Sequence, residues 1–159
     1  MTFEDPVIAR IVAFLETIGI PVIVEPVADS LIPGVTVRDG ALVFDPALPY
    51  PGDLLHEAGH IAVTDPALRP TLCDVPDDPA EEMSAIAWSY AAALAAGVDP
   101  GLVFHDDGYR GGGSYLIPAL TGRTPPGVPM LHCWGMTVMK RDAEARGVPA
   151  FPVMTRWLR

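Results

Sequence analysis

Basic residues are scarce in this chain: ten Lys and Arg stand against twenty Asp and Glu, for a formal charge of −10. A nucleic-acid partner needs clustered cations to neutralise phosphates, and ten scattered ones argue against that class. Cysteine is nearly absent. Cys73 and Cys133 lie far apart and form no C-x-x-C pair. The first residues, Met1 to Pro6, lack the positive and then uninterrupted apolar pattern of a secretory leader, so the expectation is two reduced thiols in a cytoplasmic protein rather than a disulfide. Long apolar runs are missing as well. None approaches the ~20 residues of a membrane span, and no membrane partner is expected. Half of the 159 residues are nevertheless hydrophobic. That is enough to bury a core without staples, and with no internal repeat or linker the expectation is one domain over residues 1–159.

Periodicity and punctuation supply the elements. Val7, Ile8, Ile11, Val12, Leu15 and Ile18 recur at helical spacing and stop at Gly19, which predicts an amphipathic amino-terminal helix. Val22 to Val24 is short and β-branched, a strand. Val35–Arg38 and Ala41–Phe44 flank Asp39-Gly40, the dipeptide suited to a two-residue hairpin because both turn positions need positive φ. After a proline-rich corner at Pro46 to Pro51, Asp53 is placed to cap a helix running to about Val63. A second helix is expected from Asp78, a cap, through Pro79 at its first turn to Gly97, with Glu81 and Glu82 at the positive end of its dipole. Beyond Pro100 the chain reads as irregular, with short helices near Ser114 to Leu120 and Val138 to Arg146. The aromatic tail from Phe151 to Arg159 is expected to dock on the body. The fold class is α+β: an amino-terminal helix, a short antiparallel sheet with a hairpin, two central helices and an irregular carboxyl-terminal part.

The chemistry is concentrated in His56-Glu57-Ala58-Gly59-His60. Histidines at i and i+4 on a helix share one face and can bind one metal ion, and the Glu between them can deprotonate a water on that ion. This is the H-E-x-x-H pattern of zinc-dependent hydrolases. Two histidines need a third protein ligand. Glu82 is preferred, because it lies along the helix close to the apolar stripe, and Glu81 on the stripe's other flank is the alternative; His105, Asp106 and His132 are further candidates. Gly59 costs about 1 kcal/mol relative to Ala within a helix, which implies close approach of a strand or a substrate.

From Pro46 to Ala96 the chain resembles the small gluzincin-type peptidases of the ImmA/IrrE kind. The likeness rests on His56, Glu57, His60 and Glu82, with Ala85 and Trp88 three and six residues after Glu82 as in a pattern like E-x-E-A-N-x-F-A. It departs at Ser84, which replaces a second acid, and at Ile86, which stands where a polar residue would support a histidine. The resemblance implies a zincin-like domain that hydrolyses peptide bonds with Zn2+ held by His56, His60 and Glu82, acting on a peptide or a specific regulatory protein. The residues by themselves support the same chemistry, with Glu57 as general base and His105, Tyr109, Arg110, Tyr115 and His132 available to stabilise an oxyanion. Against this stand two bland readings. Paired helix histidines also serve as surface or capped core groups, and an acid at a helix start also serves the dipole. The functional alternatives are a catalytically inactive zincin-like module that binds a protein partner, and a metal-dependent hydrolase of another amide.

Overall fold

The computed structural model describes residues 1–108 and 113–159. The first helix, α1 (Pro6–Ile18), starts where the Asp5 carboxylate accepts the Val7 N–H at 2.7 Å and Pro6 takes a position that needs no amide donor. Its stripe of Ile8, Ile11, Val12 and Leu15 is fully buried. The chain then forms β1 (Val22–Val24), β2 (Val35–Arg38) and β3 (Ala41–Phe44). Asp39 and Gly40 adopt φ of 50° and 73°, and the hairpin they make pairs Arg38 with Ala41 and Val35 with Phe44.

The sheet corrects one expectation, since it is mixed rather than antiparallel. Its order is β1-β3-β2, and β1 runs parallel to β3 with Val22 opposite Leu42 and Val24 opposite Phe44. The hairpin claims one edge of β3. Residues 25–34 together with β2 act as the return stroke that lets β1 join the other edge in the same direction as β3. All four residues of the central strand β3 are consequently buried, while β2 is an edge.

Helix α2 (Asp53–Val63) lies in the middle of the molecule, and every one of its residues is buried, including Asp53, His56, Glu57 and His60. Asp53 does not cap it. Tyr50 and Pro51 carbonyls already accept the Asp53 and Leu54 amides, so the Asp53 carboxylate is left for His105, 2.8 Å away. Helix α3 (Pro79–Ala96) follows its punctuation closely: the Asp78 side chain accepts from Ala80 and Glu81 amides, and Gly97 closes the helix at φ 68°. The two helices pack so tightly at Gly59 that a Cβ there would stand 2.8 Å from the Ala85 carbonyl oxygen. The neighbour that Gly59 admits is therefore the backbone of α3, neither a strand nor a substrate.

The second half is more ordered than its composition suggests. It contributes α4 (Pro100–Val103), α5 (Leu116–Leu120), α6 (Val128–Cys133) and α7 (Lys140–Arg146). Val103, Phe104, Leu116, Leu120, Leu131 and Met136 join the same core as α1 to α3. The tail docks as expected: Trp157 meets Trp88 and Phe14 edge-on, and the Trp88 indole N–H donates to the Trp157 carbonyl at 2.9 Å. The Arg69 guanidinium ties the end of α2 to this tail by donating to the carbonyls of Ile61, Thr64 and Arg159. Among the described residues no helix is long and apolar enough to cross a membrane.

Candidate metal centre

One turn apart on α2, His56 and His60 project toward the first turn of α3. Their rings are nearly perpendicular, at 88°, and the two Nε2 atoms are 3.3 Å apart. Glu82 reaches over from α3. One of its oxygens lies 3.0 Å from His60 Nε2 and the other 3.5 Å from His56 Nε2. Two donors at about 2.0–2.1 Å from one tetrahedral ion are separated by about 3.3 Å, so these spacings fit a single small cation. His56, Glu57 and His60 also offer donor atoms that all lie within 4.8 Å of one another, and all three residues are buried. A buried His-Glu-His group able to hold a metal ion is thus present, with a second carboxylate, Glu82, against both imidazoles.

Glu81 occupies a different place from Glu82 although it precedes it directly. Its Oε1 is 4.0 Å from His60 Nδ1, on the opposite side of the ring from Nε2. Both atoms are buried, and among the described residues neither has a hydrogen-bond partner.

The protonation chemistry follows from burial. Loss of solvent holds His56 down to about 4, aided by the nearby His60 and opposed by Glu82, so its ring is neutral and available as a donor near pH 7. Loss of solvent likewise pushes the Glu57 carboxyl up to about 7; His60 opposes this, and the Glu82 and Asp53 charges add to it. For Glu82, burial also acts upward, but its hydrogen bond to His60 and the His56 and His60 charges outweigh it and its pKa is lowered. Burial raises the Glu81 pKa, with His60 opposing.

A cleft of about 540 Å³ opens in front of these groups. Edge strand β2 forms one wall through Val35, Thr36 and Val37, and residues 73–77 form another, with Asp29, Asp74 and Asp77 at its borders. The sequence reading missed these walls. Its one usable signal was the hairpin placed directly before the α2 helix.

The other candidates from the sequence are engaged elsewhere. His105 bonds Asp53, and its ring stacks on Tyr50 with centroids 4.1 Å apart, while the Tyr50 hydroxyl donates to Asp107 at 2.5 Å. His132 accepts the Met139 amide at Nδ1 and sets Nε2 3.0 Å from Asp142. Asp106 and Tyr115 are exposed, and none of these four lines the cleft. Tyr109 and Arg110 lie outside the described residues, as does most of the Gly111 to Gly113 run. Comparison with known proteins finds no matching family, no matching curated protein and no matching solved structure.

Proposed function

We propose that this chain is a zinc-dependent hydrolase, a metallopeptidase of zincin-like, gluzincin type. The observation that carries the reading is the convergence of His56 Nε2, His60 Nε2 and the Glu82 carboxylate within 3.0 to 3.5 Å of one another. These three residues would hold the ion, and all three line the cleft. Zinc, when bound, supplies a Lewis acid that acidifies water and polarises a carbonyl. Glu57 is the general base. Its carboxylate would take the proton of the attacking water as the water oxygen adds to the substrate carbonyl carbon, and would then pass that proton to the departing amine as the C–N bond breaks. Edge strand β2 lines the cleft, and among the described residues its outer side is joined only by the Ile32–Val35 bridge, which leaves the edge beyond Val35 as a surface on which an extended peptide adds as a further strand. The substrate is therefore a peptide or an extended segment of a protein, and the acidic border of Asp29, Asp74 and Asp77 favours a basic one.

That acidic border also favours a second reading, a metal-stabilised module that holds a basic protein segment without cleaving it. Metal analysis and a Glu57→Gln variant separate the two. The hydrolase reading expects close to one equivalent of zinc in both proteins, with cleavage of a basic peptide library by wild type and at least about 100-fold less by the variant. Well under half an equivalent of zinc in the wild type defeats the metal site. Full zinc loading with binding but no cleavage by the wild type selects the module.

A further inference from the structure

The geometry points to Glu81 as the positioning residue of the metal centre, the carboxylate that receives the Nδ1–H of His60 and fixes that ring for zinc. This rests on the zinc reading above. An imidazole has one proton to place in its neutral form. When Nε2 is a metal ligand the proton must sit on Nδ1, where it requires an acceptor, and metal-bound histidines meet that need with a carboxylate or carbonyl.

His60 is almost wholly buried, so its Nδ1 is withdrawn from bulk water and depends on a protein acceptor close by. Among the described residues, Nδ1 has no hydrogen-bond partner, and the atom facing it is Glu81 Oε1 at 4.0 Å, itself buried and without a partner. Two orphaned polar atoms side by side are costly to both, and a shift of about 1 Å joins them in one charge-assisted hydrogen bond. Glu82 cannot take the role, because its carboxylate already lies against Nε2 of both rings. Ile86, one turn further along α3, is apolar and packed in the core, so that position offers no acceptor either. Glu81 is equally excluded from direct ligation to the same ion, since Nδ1 and Nε2 direct their lone pairs to opposite sides of the ring. The neighbouring acids at the start of α3 thus divide the two nitrogens of His60 between them.

The test is zinc affinity of the purified full chain, read by competition with a chromogenic chelator, for wild type, Glu81→Gln and Glu81→Ala. Glu81→Ala is expected to bind zinc 10- to 100-fold more weakly, the usual effect of removing such a partner. Glu81→Gln keeps an acceptor oxygen without charge and is expected to fall between the two. In 15N-labelled wild type with zinc, the His60 ring is expected to be protonated at Nδ1 alone. Affinities of Glu81→Ala within about two-fold of wild type would overturn the assignment while leaving the metal site standing. So would a Glu81→Gln variant no better than Glu81→Ala. A wild type that binds no zinc removes the metal reading itself and this assignment with it.

Discussion

Replacing Glu57 by Gln should change how stability depends on pH more than it changes stability at any one pH. The Glu57 side chain is buried on α2, and its pKa rises from 4.5 to about 7 on folding, chiefly through loss of solvent. A carboxyl with a raised folded-state pKa binds its proton more tightly in the folded chain. Its contribution is therefore complete below the unfolded pKa of 4.5 and is lost as pH climbs through about 7. The shift corresponds to about 3 kcal/mol lost between pH ~4.5 and ~8, at roughly 1.4 kcal/mol per pH unit. Gln is neutral throughout, so the variant lacks this loss. Any offset from burying the amide is independent of pH and cancels in the comparison. Urea unfolding in EDTA, followed through buried Trp88, gives the two curves. The variant is expected to gain about 3 kcal/mol on wild type over that interval. Curves that stay parallel within about 1 kcal/mol would refute the burial argument. Repeating the series with zinc adds an internal check, because a cation beside Glu57 favours the carboxylate and should shrink the difference.

His56 carries the opposite sign, since burial depresses its folded-state pKa from 6.5 to about 4. Its contribution is present above pH 6.5 and is lost as pH falls toward 4, so His56→Gln should unfold less readily on acidification in EDTA than wild type, as followed by far-UV circular dichroism. Gly59→Ala ought to lower the thermal midpoint despite the better helix propensity of Ala. Its Cβ would stand 2.8 Å from the Ala85 carbonyl oxygen, and overpacking of about 1–3 kcal/mol exceeds the ~1 kcal/mol gained in propensity. A midpoint at or above that of wild type would show that α2 and α3 separate easily.

Much of the molecule was legible where the governing forces act within a few residues. The i, i+4 spacing of His56 and His60 sets both rings on one face of any helix that contains them. Asp39-Gly40 specifies its turn through two positive φ angles, Asp78 caps α3 by reaching amides two and three residues ahead, and Gly19 and Gly97 end their helices. The short helices α4 and α6 carry too few residues to show a period, so the second half read as looser than it is. The cap expected at Asp53 does not form because its carboxylate is engaged by His105, 52 residues away and outside any local pattern.

The sequence by itself determined that two imidazoles and a carboxylate share α2 and that acids open α3. Adjacent residues on a helix point about 100° apart, so the separate environments of Glu81 and Glu82 depend on the angle at which α3 crosses α2. That crossing is set by contact of Gly59 with the Ala85 backbone and by burial of Trp88 beneath the tail. Tertiary structure also decided that β1 pairs parallel to β3, which leaves β2 as the edge beside the histidines. Such choices depend on which distant surfaces bury one another, and no local pattern encodes them.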